Sequence, residues 1–171
     1  MELIYKHFDG RKHDFEAVAS AEAARVLRGA GNSYVEGCLT RRSGDGGADF
    51  VGRLDIGSGL AGTSLVVFGQ AACVKLENLV TAEQIARVVA RLRRGWIGVY
   101  VMTGAYSVPA QTEMVEDRYP IVLINGLELD RELRGMARDD HGGDLEACLG
   151  HILTQREIAI TNRRPEEILL E

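Results

Sequence analysis

This chain has little of several things that would assign it quickly to a class. It has three cysteines in 171 residues, Cys38, Cys73 and Cys148. They are widely and irregularly spaced, which excludes a disulfide framework and a zinc-ligand pattern and fits a reducing compartment. No apolar run approaches the roughly 20 residues needed to cross a bilayer. Met1-Glu2-Leu3-Ile4-Tyr5-Lys6 lacks the charged-then-apolar layout of a secretion signal, so the reading is a cytoplasmic protein without a membrane segment. Aromatic residues are only 6%, and they form no run that suggests a base-binding cage. The chain also lacks an excess of positive charge. Its formal net charge is −5, which argues against simple electrostatic binding of nucleic acid. The basic residues are, however, unevenly placed. Arg87, Arg91, Arg93 and Arg94 crowd one predicted helix end, and Arg41 and Arg42 precede a glycine-rich turn.

What is present is a soluble globular composition, 46% hydrophobic and 26% charged, in a chain long enough for one domain with a real core. Residues 1–171 read as one unit, with 138–143 as a link before the last helix. Apolar spacing predicts a helix over 13–29, with glycines after it. Strands are predicted over 34–41, 49–55 and 64–73, the last being the most apolar and central. Thr81 and Gln84 form a capping pattern for a helix running to about Arg94. A buried strand over 96–102, a helix begun by Pro109, a short strand over 121–124, a helix over 127–136 and a last helix from Asp144 to about Asn162 complete the order. Glycine loops join the early strands, which should be antiparallel. Helices separate the later ones, which should be parallel. The expectation is an α/β fold, a mixed sheet with helices on both faces.

Two segments carry chemistry. Ser43-Gly44-Asp45-Gly46-Gly47-Ala48-Asp49-Phe50 is a glycine turn that delivers Asp49 to the start of a strand. Leu65-Val66-Val67-Phe68-Gly69-Gln70-Ala71-Ala72-Cys73 carries Gln70 on the next strand. Side chains alternate along a strand, so residues 70 and 72 share a face. The Asp49 carboxylate, the Gln70 amide oxygen and the backbone carbonyl of Ala71 are hard oxygen donors of the kind that suit Mg²⁺ or Mn²⁺. Such a cation activates water against a phosphodiester. Asp45 reads as a turn former. His141 and His151 have no partner motif, and Cys73 has no histidine placed to activate it.

In this order and spacing, Gly44–Arg53, Val66–Cys73, Gln84–Trp96, Val101–Gly104 and Arg164–Leu169 resemble the nuclease domain of the modification-dependent restriction endonucleases of the MspJI type, within the Mrr-like branch of the PD-(D/E)XK nucleases. The resemblance covers most of the chain from residue 8 onward. It implies a restriction-endonuclease-like fold and Mg²⁺-dependent cutting of double-stranded DNA in restriction or antiphage defence, in a bacterial or archaeal cytoplasm. It implies Asp49 and Gln70 as catalytic and metal-binding residues, with the Ala71 carbonyl as a further ligand. It also suggests Glu16, on the first helix, as an added acid. The family lysine does not carry over, because its position is Ala72. Three explanations stay open: Lys75 reaching back, natural loss of activity, or a deliberate Lys→Ala change. Two alternatives to an endonuclease also stay open: a dead nuclease fold serving as a DNA-binding or assembly module, and an effector nuclease whose sensor lies on another polypeptide. Arg87, Arg91 and Arg94, with Thr103, Tyr106 and Ser107 after a parallel strand, are the expected DNA contacts. The modified-base reader domain usual in the family finds no room here. Double-strand cleavage by one site per chain would need a homo-oligomer of at least two copies.

Overall fold

The computed structural model describes residues 2–40, 47–156, 160–161 and 164–170. The turn residues Arg41, Arg42, Ser43, Gly44, Asp45 and Gly46 lie outside them, as do Asn162 and Arg163. The helices are α1 (Glu2–Phe8), α2 (Lys12–Gly29), α3 (Ala82–Val89), α4 (Val108–Asp117), α5 (Gly126–Asp140) and α6 (Leu145–Arg156). The strands are β1 (Ser33–Thr40), β2 (Phe50–Ile56), β3 (Thr63–Ala72), β4 (Leu79–Val80), β5 (Trp96–Met102), β6 (Ala105–Tyr106), β7 (Ile121–Ile124) and β8 (Ile160–Thr161).

Six strands form one sheet in the order β7-β5-β3-β2-β1-β8, and β4 pairs with β6 in a separate ribbon. The short connections from β1 to β2 and from β2 to β3 give antiparallel pairs. The helical connections give parallel pairs from β3 to β5 and from β5 to β7. β3 is therefore the seam between the two halves of the sheet. One apolar core packs α1, α2, α5 and α6 on one face, around Phe8, Phe15, Phe50, Val67 and Leu133. A second packs α3, α4 and the 3₁₀ segment Pro165–Leu170 on the other, around Val66, Phe68, Ile85, Met102 and Ile168. β3 alternates between the two, Val67 facing one core and Val66 and Phe68 the other. Layers on both faces explain its nearly continuous apolar run.

Several boundaries differ from the sequence reading. α1 was not expected. Its seven residues are too few to be stable alone, and Ile4 and Phe8 hold it by packing, Phe8 meeting Phe15 edge-on at 5.7 Å. α3 keeps its cap, with the Thr81 N–H donating to Gln84 Oε1 at 3.0 Å, but stops at Val89 rather than Arg94. The next two backbone bonds, Arg91 to Val88 and Leu92 to Val89, tighten to three-residue spacing. α5 runs to Asp140, so only residues 141–144 connect it to α6. α6 ends at Arg156 instead of continuing to Asn162, and β8 pairs with the open edge of β1. Two β-branched residues and an unpaired strand edge favour that exchange.

Candidate active site

Asp49 sits just before β2, at the end of the β2–β3 pair. Its N–H donates to the Gly69 carbonyl at 2.8 Å, and its own carbonyl accepts from the Thr40 N–H at 3.1 Å. The backbone is thus pinned from both neighbouring strands. Gly69 has to lack a side chain, because a Cβ there would collide with the Phe50 ring. The close approach brings the Asp49 side chain over the end of β3. Its Oδ2 accepts from the Ala71 N–H at 2.7 Å and from the Gln70 side-chain amide. Asp49, the Gln70 side chain and the Ala71 N–H are thus brought together.

On the rim, α2 places Glu16, only 19% of its side chain exposed, with an oxygen 2.8 Å from His13 Nδ1. Burial pushes the Asp49 carboxyl up to about 6, and the nearby Glu16 charge adds to the rise. The Ala71 N–H, the Gln70 amide and His13 pull in the other direction. Two carboxylates held close in a half-buried place favour a neutralising cation. Among the described residues no three His, Cys, Asp or Glu side chains cluster as a metal site. A set of two acids plus neutral oxygen donors suits Mg²⁺ or Mn²⁺, since Mg²⁺ keeps several waters. The residues present fit such an ion.

Ala72 is the last residue of β3 and packs partly against the second core. Its carbonyl accepts from the Thr103 N–H at 3.2 Å. Lys75 is exposed beyond the end of β3, where its carbonyl accepts from the Asn78 N–H at 2.9 Å.

The predicted DNA contacts divide. Thr103 is 1% exposed, and its hydroxyl accepts from the Val74 N–H at 2.8 Å and donates to the Val74 carbonyl at 2.5 Å. It ties the end of β3 to the end of β5. Tyr106 is buried, its hydroxyl donating to the carbonyls of Tyr100 (2.8 Å) and Ile124 (3.3 Å). Ser107 caps α4, accepting from the Ala110 N–H at 3.3 Å. The Thr103 and Tyr106 hydroxyls are committed inside the protein, and the half-buried Ser107 hydroxyl caps its helix. The arginines remain on the surface. Arg87 pairs with Glu83 at 2.5 Å, and Arg94 is exposed. Arg91 donates to the Gly47 carbonyl at 3.2 Å, which braces the turn before Asp49. Gly47 has φ +81°, and a Cβ there would come within 2.6 Å of the Arg91 guanidinium. Arg93 pairs with Glu166 and lies over Trp96, 5.3 Å from the ring centre.

Sequence reasoning missed two neighbours. His13 was legible as the residue one helical turn before Glu16. Tyr100, in register with Gln70 on β5, was legible as the hydroxyl-bearing residue of an otherwise apolar strand.

Residues 11–133 match the family model of the Mrr catalytic domain, described as restriction endonuclease. The chain belongs to this restriction endonuclease family. It superimposes on the MspJI restriction endonuclease, solved in complex with a 27-mer oligonucleotide, with a TM-score of 0.92 and 52% identity, covering 99% of this chain and 38% of that one. The DNA modification-dependent restriction endonuclease AspBHI matches with a TM-score of 0.71 and 27% identity over 90% of this chain and 38% of that one. The chain therefore spans well under half the length of either solved relative. No curated protein matches it. The likeness to MspJI bears out the restriction-endonuclease-like mixed sheet flanked by helices. Among the described residues no helix is long and apolar enough to cross a membrane.

Proposed function

We propose that this chain is the DNA-cleaving domain of a modification-dependent restriction endonuclease of the bacterial or archaeal cytoplasm, acting on double-stranded DNA in defence against foreign DNA. The observation that carries the reading is the convergence of Asp49, Gln70 and the Ala71 backbone at one strand end. Asp49, the Gln70 amide oxygen and the Ala71 carbonyl would hold Mg²⁺ or Mn²⁺. When bound, such an ion polarises a phosphoryl oxygen and makes its coordinated water more acidic. Glu16, whose charge is felt at Asp49, is suited to orient that water. Arg94, Arg91 and Arg87 offer positive charge to the DNA backbone, which fixes position without reading sequence.

Ala72 removes the cation that the family places beside the developing charge. A methyl group has no donor for a phosphate oxygen or an attacking water, so this chain cuts slowly or not at all. The same observation favours a second reading, a catalytically silent nuclease fold retained for DNA binding or assembly. Recognition of a modified base belongs to a reader outside these residues, and a double-strand break to two or more copies. An effector nuclease with a separate sensor is the variant of this reading in which the reader is another protein.

Restoring the lysine separates the two readings. Ala72→Lys should produce or raise Mg²⁺-dependent cutting by about 10²–10³-fold, the usual worth of one positioned transition-state donor. The measurement is cleavage of methylated and unmethylated duplexes with Mg²⁺ and with Mn²⁺. An Ala72→Lys protein as inert as the parent under all of these conditions would establish the silent module.

A further inference from the structure

Tyr100 lies on β5, directly in register with Gln70 on the adjacent parallel strand β3. Paired residues on neighbouring strands project to the same face. Tyr100 belongs to the second core, against which Ala72, two residues past Gln70, also packs. Asp49, Gln70 and Tyr100 therefore form a polar row across three adjacent strand positions. The tyrosine is held from behind. The Tyr106 ring meets it edge-on at 6.2 Å, and the Tyr106 hydroxyl donates to the Tyr100 main-chain carbonyl at 2.8 Å. Tyr100 is only 6% exposed, yet no hydrogen bond among the described residues engages its hydroxyl. Burial and the Asp49 charge raise its pKa, so it stays a neutral phenol able to donate or accept.

We propose that Tyr100 is a positioning residue for the Gln70 amide. The proposal rests on the metal-site reading above. In the structure the Gln70 NH₂ donates to Asp49 Oδ2, which turns the amide oxygen away from the carboxylate. To offer that oxygen to a cation beside Asp49, the amide has to rotate, and its NH₂ then leaves its acceptor. The Tyr100 hydroxyl, on the next strand and the same face, supplies a new one. Tyr100 thus holds the amide in its ligand orientation without touching the ion itself. Neutral phenol and neutral amide make a pair that costs no charge burial.

The test is calorimetric titration of Mn²⁺ into four proteins: this chain, Tyr100→Phe, Gln70→Glu and the double variant. Tyr100→Phe should weaken Mn²⁺ binding about tenfold, within the range for partners that orient a metal ligand. In the Gln70→Glu background there is no NH₂ to place, so the same change should have no effect on affinity. The metal-free urea midpoint should be little altered by Tyr100→Phe, which keeps the ring and its packing; a large drop would mean that the hydroxyl holds the fold rather than the amide. Equal Mn²⁺ affinity in parent and Tyr100→Phe overturns the proposal and leaves the metal site standing. Equal weakening in both backgrounds overturns it in favour of general packing. Absence of Mn²⁺ binding by the parent overturns the metal-site reading, and the role of Tyr100 falls with it.

Discussion

Among the described residues, burial raises two carboxyls, those of half-buried Asp49 and buried Glu22, and their surroundings differ. Asp49 lies at a strand end, where the Ala71 N–H and the Gln70 amide donate to one oxygen and Glu16 and His13 stand on the rim. Glu22, on α2, is fully buried in the helical layer, and neither of its oxygens has a hydrogen-bond partner among the described residues. Burial raises both, Asp49 to about 6 and Glu22 to about 8. For Glu22 the charges of Glu132 and Glu128 add to the rise, while Arg25 and Arg131 oppose it. The comparison teaches that a raised carboxyl alone does not mark a site. Asp49 is held in one orientation by donors and faces further polar groups. Glu22 is enclosed without donors and is tolerated because it keeps its proton at neutral pH.

The largest effect that can break this comparison is Asp49→Asn. In the Ala72→Lys background it should lower metal-dependent cleavage by at least about 10²–10³-fold, since a ligand charge at the reacting centre is lost. Without metal the same change should leave the protein folded, or slightly more stable above pH 6, because a buried charge is gone. Cleavage kinetics and urea unfolding on the same samples check both. Full cleavage by the asparagine variant would remove Asp49 from the site.

Glu22→Gln should do the reverse, leaving cleavage unchanged and altering stability against pH. The folded carboxyl titrates near 8 against an ordinary value of 4.5, so between these values the native state holds more protons than the unfolded one. Stability therefore falls as pH rises through that window and levels off above it. The glutamine variant should lack this slope. Glu22→Met, which also removes the unpartnered oxygens, should raise stability at pH 9 by about 1–3 kcal/mol. Urea midpoints at pH 5, 7 and 9 decide it; parallel slopes for parent and Glu22→Gln would mean that Glu22 is not the responsible group.

The smallest effect lies at the rim of the Asp49 site. Arg91→Ala with Arg94→Ala should weaken binding to all duplexes alike, by an amount that shrinks as salt rises. The chain by itself should bind DNA weakly, with little preference for methylated duplex. Filter binding over a salt series measures this. A tenfold or larger preference for methylated DNA would place a modified-base reader within these residues.

Much of this was legible in the sequence because it rests on local patterns. Glycine loops against helical crossovers gave antiparallel and then parallel pairing. The β3 run, uninterrupted by polar residues until Gln70, gave the central strand, and Thr81 with Gln84 gave a helix start. Asp49 and Gln70 were readable as a pair because a strand's two-residue period and the interval between them set their faces. The contacts of Thr103, Tyr106 and Ser107 were not readable. Position after a parallel strand says where a side chain stands, not whether its hydroxyl is already bonded inward. α1 and β8 were missed because each is too short for its own pattern and exists through packing or an open strand edge. The sequence by itself determined the order of elements, the identity of the chemical groups and the absence of a lysine at position 72, since these depend on residue type and spacing along the chain. Only the tertiary structure decided that Ala71 donates to Asp49, that Tyr100 stands beside Gln70 and that Glu22 is sealed without a partner among the described residues, because each depends on strand register and layer packing between residues far apart in the chain.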